Sequence, residues 1–257
     1  PSERRGVRRS RRSDRDNVAF AAQPPYNETT PFTEASSPLM AEPLVIWGAS
    51  GHAKVVAEIV RLDPQGFQII GFLDDLHPSR HGMKFCGAAV LGGREQLPVL
   101  TRQGVRRAIV AVGECAARAR LANVLTDGGF ELVTVVHPRA VIAESVEIGA
   151  GSVVMAGAVV NPDVRIGSNV VVNTSASIDH DCAIGDGVTI SPGATLGGNV
   201  TVGPETWIGI GATVRERVRI GRRSIIGAGA VVLTDIGEEV VAYGVPARVI
   251  RGVEADA

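Results

Sequence analysis

The sequence predicts a small α/β unit followed by a three-sided parallel β-solenoid, and three observations lead there. Every sixth residue from Ile142 to Val232 is a branched aliphatic, through Ile148, Val154, Val160 and Ile166 onward without exception. The residue two before each is small or modest in size (Ala140, Ser152, Ala158, Ala176, Cys182), and Gly follows the aliphatic at 149, 167, 185, 203 and 221, a spacing of 18. Upstream of this ladder, short apolar runs alternate with amphipathic stretches. A hexad period inside an 18-residue period means three short strands per coil, each sending one aliphatic inward. Strands alternating with helices mean a parallel sheet with helical crossovers.

The elements follow in order. Residues 1–39 hold seven arginines in the first fifteen positions and then a Pro/Ser/Thr/Asn-rich run without apolar periodicity, so they are expected to be a disordered tail or a mis-assigned start ahead of Met40. The α/β unit is expected over 40–136. Leu44-Val45-Ile46-Trp47 reads as a buried strand, Gly48-Ala49-Ser50-Gly51-His52 as a turn, and Ala53 to Leu62 as a helix with Val55, Val56, Ile59 and Val60 apolar. Gln68 to Leu73 reads as a second strand ending in Asp74-Asp75, and Ala108 to Val112 as a third. Ala116 to Leu125 reads as a helix and Leu132 to Val136 as the last strand of the unit. The solenoid is expected over 137–243, with 244–257 closing its open end and covering the strand edges there.

Composition narrows the function. A net charge of −1 gives no electrostatic case for nucleic acid, and no apolar stretch reaches the ~18–20 residues that a membrane helix needs. Cys86, Cys115 and Cys182 form neither a metal-type cluster nor a disulfide framework, which points to a reducing, cytoplasmic setting.

Two places could carry chemistry. The loop from Gly48 to His52 joins a strand to a helix, where backbone N–H groups and the helix dipole favour an anion. Asp74 and Asp75 end the next strand, where such folds bind a ribose hydroxyl. Together they point to a nucleotide or nucleotide-sugar site; the bland alternative is a tight turn with surface carboxylates. The second place is His180, the single histidine of the solenoid, in Asp179-His180-Asp181-Cys182. Ile178 and Cys182 take inward slots, so His180 lies outside the core. A flanking carboxylate on one ring nitrogen would raise the basicity of the other. Adding 18 residues lands on Gly198, one strand spacing away, whose N–H could stabilise an oxyanion. Zinc would need three ligands, so no metal is expected at this lone histidine.

At this point the residues resemble a family. Gly-Ala-Ser-Gly-His (48–52), Phe-Leu-Asp-Asp (72–75), the hexad ladder, Asn-Thr-Ser…Asp-His-Asp-Cys (173–182) and Gly-Val-Pro-Ala-Arg (244–248) are similar to the NeuD/PglD-type bacterial sugar acetyltransferases. The resemblance implies a Rossmann-like N-terminal domain, a left-handed parallel β-helix, a homotrimer and acetyl-CoA bound between adjacent helices. It also implies roles. His180 would be the general base, Asp181 its carboxylate partner (with Asp179 competing on spacing) and Gly198 the oxyanion donor. Ile210 and Ala228 match cofactor-contacting positions, and Thr189 stands where several relatives have a second histidine at acetyl-CoA. Ser50, Gly51, His52, Asp74, Asp75 and Val110 are assigned to the nucleotide-sugar pocket. The expected reaction is direct acetyl transfer from acetyl-CoA to the amine of a nucleotide-activated sugar, with neither nucleic acid nor membrane as partner. The alternatives are O-acetylation of a sugar such as sialic acid and a non-catalytic nucleotide-sugar-binding scaffold.

Overall fold

The structure, a computed structural model, describes residues 41–63 and 66–253. The expected tail over 1–39 lies outside the described residues, as do the last four residues of the closing segment.

The N-terminal unit is a parallel sheet built from β1 (Glu42–Trp47), β2 (Phe67–Leu73), β3 (Lys84–Phe85), β4 (Ala88–Gly92), β5 (Arg107–Val110) and β6 (Glu131–Leu132) in the order β3-β4-β2-β1-β5-β6. Only the β3–β4 hairpin is antiparallel. Helices α1 (Gly51–Leu62), α2 (Leu97–Arg102) and α3 (Cys115–Asp127) complete it. The buried strand β1 divides its side chains by period two. Leu44 and Ile46 pack with Val56, Ile59 and Val60 of α1, whereas Val45 and Trp47 pack with Leu100, Ala122 and Leu125 on the other face. In α1 the apolar Val55 is 43% exposed, and Ala53 and Ala57 are buried instead.

The solenoid matches its ladder strand for strand. Sixteen two-residue strands run from Val141–Ile142 to Val231–Val232, each ending on the ladder aliphatic. Strands 18 residues apart pair in parallel, as Val153–Val171–Thr189–Trp207–Ile225 do along one side. The aliphatics and their small partners form one continuous core from Val154 to Val232. A left-handed residue recurs every six positions, for instance at Asp163, Asn169, Ser175 and Asp181. The glycines at 149, 167, 185, 203 and 221 stack at one corner, where a Cβ would come within 2.7 Å of the next coil's backbone or side chain. The fold is a three-sided, left-handed parallel β-helix behind an α/β domain.

Two boundaries differ from the sequence reading. The stretch Leu132–Val136 is divided: β6 ends the α/β sheet, and Val135–Val136 pairs with Val153–Val154 as the first rung of the solenoid. Val136 continues the six-residue count, so the ladder starts one hexad earlier. At the other end, Val240–Gly244 and Ala247–Gly252 form an antiparallel hairpin that extends one side of the solenoid. Ala242 and Ala247 plug the core there. No described helix is long and apolar enough to cross a membrane.

Candidate active site

The site grows from one corner of the solenoid. Ile178 and Cys182 are fully enclosed, so Asp179, His180 and Asp181 must carry the chain around the outside. Asp181 takes the left-handed conformation of the corner, with φ of 59°. Its Oδ2 lies 2.6 Å from His180 Nδ1. With Nδ1–H donating to that carboxylate, the lone pair of the imidazole is at Nε2. Asp179 plays a different part, since its Oδ1 accepts the His180 backbone N–H at 2.8 Å and the Asn161 side-chain amide at 2.9 Å. Asp181 is therefore the ring partner and Asp179 the backbone cap. The Asp181 hydrogen bond holds the His180 pKa above its ordinary value, with the charges of Asp179, Asp181 and Asp163 adding to it. The His180 N–H and Asn161 amide hold Asp179 below the usual carboxylate range.

One coil on, Gly198 meets the ring. A Cβ on Gly198 would lie 2.7 Å from His180 Nε2 and 2.8 Å from Cε1, so only glycine leaves room for the imidazole. Among the described residues the Gly198 N–H donates no hydrogen bond, whereas Gly197 N–H reaches Val214 and Asn199 N–H reaches His180. An imidazole, a carboxylate and an unbonded amide N–H thus come together at one corner. The nearby Cys182 thiol is enclosed, donates to Gly197 O at 3.2 Å, and burial pushes its pKa up.

Other expected residues lie apart. Ile210 (61% exposed) and Ala228 stand 18 residues apart on the preceding corner, and neither backbone N–H donates within the described residues. Thr189 does not join them. It is 5% exposed beneath α3, and its Oγ1 accepts from Arg118 Nη2 at 2.9 Å. The side of the solenoid that carries Thr189 is covered by the N-terminal domain, so its hydroxyl is spent on holding that domain. Val110 is likewise corrected: its side chain is buried in the core of the α/β sheet and has no free surface for a sugar.

The N-terminal loop keeps part of its expected character. Gly48 has φ of 128°, and a Cβ there would lie 2.5 Å from the Ala111 carbonyl oxygen, so its glycine serves the fold. Gly51 faces open space and Ser50 is exposed, leaving the start of α1 uncovered. Asp74 turns inward, accepting the Leu76 N–H and pairing with His77 and Arg80, and Asp75 pairs with Arg94. His52 Nε2 is enclosed without a partner, and burial, aided by the Arg118 charge, lowers its pKa to about 4.

Sequence reading passes over two residues. Asn161 stands 18 before Asp179, so the same count that finds Gly198 could have found it. Arg118 carries no signal. It is 1% exposed, and its guanidinium reaches the carbonyls of Val112, Gly113, Asn169 and Gly187, tying α3 to the solenoid. A cavity of about 540 Å³ lined by Cys115, Arg120, Trp207, Arg223 and Ile225 lies beside α3 and not at His180. No group of three or more His, Cys, Asp or Glu that could hold a metal occurs among the described residues.

Comparison with known proteins identifies relatives of both parts of the chain. Residues 43–125 match the PglD N-terminal domain, and residues 163–198 and 199–234 match the bacterial transferase hexapeptide repeat. A histidine-to-asparagine variant of perosamine N-acetyltransferase from Caulobacter crescentus, solved with CoA and GDP-perosamine, is 39% identical. It aligns over 86% of this chain and 100% of its own, with a TM-score of 0.77. The acetyltransferase domain of PglB from Neisseria gonorrhoeae, solved with acetyl coenzyme A, is 38% identical over 82% of this chain and 100% of that one, with a TM-score of 0.76. UDP-N-acetylbacillosamine N-acetyltransferase of Bacillus subtilis (strain 168) is 36% identical over 117 residues. That match takes in 44% of this chain and 51% of the relative, so the chain spans about half the length of the curated relative.

Proposed function

The chain belongs to the PglD-type family of hexapeptide-repeat sugar acetyltransferases, and from that premise we propose that it transfers acetyl from acetyl-CoA to the amine of a nucleotide-linked amino sugar. The observation that carries this reading is the corner where Asp181, His180 and Gly198 meet. Asp181 fixes the His180 tautomer with Nε2 free to take a proton. The acceptor ammonium gives one proton to Nε2, and the resulting amine attacks the thioester carbonyl. The carbonyl oxygen gathers charge, which the Gly198 N–H stabilises. The C–S bond then breaks, the amide C–N bond remains, and the amine's second proton leaves with the CoA thiol. The proton held by His180 returns to solvent, so the balance closes without an acyl-enzyme.

The start of α1, with Ser50, Gly51 and His52, and the loop bearing Asp74 and Asp75 are assigned to the nucleotide-sugar side of the site. Asp74 and Asp75 would have to exchange their present partners for the ligand. Because Ile210 and Ala228 occupy a different corner from His180, we assign the coenzyme to a groove completed by a second solenoid, in a trimer within a reducing, cytoplasmic compartment. Light scattering of the purified chain tests the assembly.

The decisive assay follows thiol release from acetyl-CoA with UDP-, GDP- and dTDP-linked amino sugars, and with sialic acid as a hydroxyl acceptor. Release that depends on an amino sugar is expected. Release with the hydroxyl acceptor alone replaces the reading with O-acetylation, and no binding of acetyl-CoA at all leaves only a nucleotide-sugar scaffold.

A further inference from the structure

The two acids beside His180 are not equivalent, and the role of Asp179 goes beyond capping. Asp181 is committed to the ring. Asp179 places both of its hydrogen bonds on one oxygen, Oδ1, where the His180 N–H and the Asn161 amide converge. Among the described residues its second oxygen, Oδ2, makes no hydrogen bond. The next coil carries Gly197 and Gly198 at the positions equivalent to Asp179 and His180, so it brings no side chain of its own to this corner. A fixed anionic oxygen without a hydrogen bond is thus left on the residue that precedes His180.

We propose that Asp179 Oδ2 binds the ammonium of the acceptor sugar and selects amines over hydroxyls, with Asn161 as the residue that positions it. This rests on the acetyltransferase reading above. A primary amine at neutral pH carries an extra proton and a charge, and must lose that proton before it can attack. A carboxylate next to the imidazole holds the charged form where Nε2 can deprotonate it, through a charge-assisted hydrogen bond that a hydroxyl cannot match. The charged groups facing the His180 ring beside Asp179 are Asp181 and Asp163, with the enclosed Cys182 thiol behind, and Arg215, Glu216 and Arg217 two coils on at the same corner.

Asp179→Asn separates this role from a structural one, because an amide oxygen can still accept the His180 N–H while the charge is gone. With the full chain, acetyl-CoA and GDP-perosamine or a UDP-linked amino sugar as acceptor, the variant is expected to raise KM for the acceptor by about 10- to 100-fold with kcat much less affected. That KM should fall again as pH rises past the pKa of the acceptor amine, because the neutral amine has no need of the carboxylate. Asn161→Ala should raise KM in the same direction by less, and add nothing in the Asp179→Asn background. An unchanged acceptor KM in Asp179→Asn, or a loss confined to kcat at every pH, overturns the proposal. Should the wild type bind acetyl-CoA yet acetylate no amine, the acetyltransferase reading fails first and takes this role with it.

Discussion

Two histidines of this chain occupy opposite surroundings. His180 stands on an outer corner of the solenoid, half exposed, with a carboxylate at 2.6 Å from Nδ1 and glycine beneath the ring. His52 stands on the first turn of α1, with Nε2 enclosed, no hydrogen-bond partner and the Arg118 charge nearby. The same side chain is pushed toward basicity in one place and toward permanent neutrality in the other. Residue type alone would rank the two equally; the neighbours decide which can carry protons near neutral pH.

The contrast breaks most sharply at His180. His180→Ala is expected to lower acetyl-transfer turnover by about 10²–10⁴-fold while leaving the circular dichroism and thermal midpoint of the solenoid unchanged, since the ring lies outside the core. Near-normal turnover in that variant would remove the base from the mechanism. His52→Ala is expected to leave far more turnover, because a histidine that stays neutral to about pH 4 exchanges no proton near neutrality.

His52 should show itself in stability instead. Its folded pKa lies below its ordinary value of 6.5 at about 4. Above pH 6.5 neither state is protonated and the burial carries no penalty. As pH falls from 6.5 toward 4 the unfolded chain takes up a proton that the folded chain refuses, so stability drops; below about pH 4 both bind it and the loss levels off. The drop is at most about 3 kcal/mol. Urea unfolding at pH 7 and pH 4.5 should show a smaller difference in His52→Gln than in the wild type, and an identical difference would mean that the imidazole is not sequestered.

How much of this is legible in the sequence depends on whether a region carries a ruler. In the solenoid the count of six places Ile178 and Cys182 inside and His180 outside, and the count of eighteen puts Gly198 against the ring. Both placements hold in the structure. The count cannot say which side of the solenoid another domain covers, and it gives no warning that Thr189, which the resemblance assigns to the coenzyme, lies under α3. Nor can it choose between Asp179 and Asp181, because that choice is made by the left-handed turn at Asp181 and by Asn161 one coil back. The α/β domain has no fixed period. Its strands and helices are readable from apolar runs, but the inward turn of Asp74, the burial of Val110 and the reach of Arg118 depend on tertiary packing that no local pattern encodes. The hairpin of β3 and β4 escapes notice for a related reason: strands this short leave little alternation to read.

Gly198 sharpens the comparison from the glycine side. Gly198→Ala places a methyl 2.7 Å from His180 Nε2 and 2.8 Å from Cε1, so the ring must shift away from its present alignment with Asp181. Turnover should fall by about 10- to 100-fold, the scale expected when a base loses its alignment. The fold should survive, because the clash is with an exposed side chain that can swing outward. Gly51→Ala in the other region meets open space, and should leave the fold intact at little cost.

The smallest effect concerns pH. The Asp181 hydrogen bond is the largest cause of the raised His180 pKa, so Asp181→Asn should bring it down. Turnover that requires neutral His180 rises with pH as the ring loses its proton, and the midpoint of that acid limb tracks the His180 pKa in the working complex. In Asp181→Asn the limb should therefore move to lower pH, while the plateau falls by about tenfold because the amide holds the tautomer less firmly and the base is weaker. At a pH below the wild-type midpoint these effects oppose each other, and the variant's deficit should shrink as pH is lowered. A limb that stays in place while the plateau falls would assign the pH dependence to another group, such as the acceptor amine itself. The comparison with Asp179→Asn would then show whether ammonium binding at Oδ2 governs it.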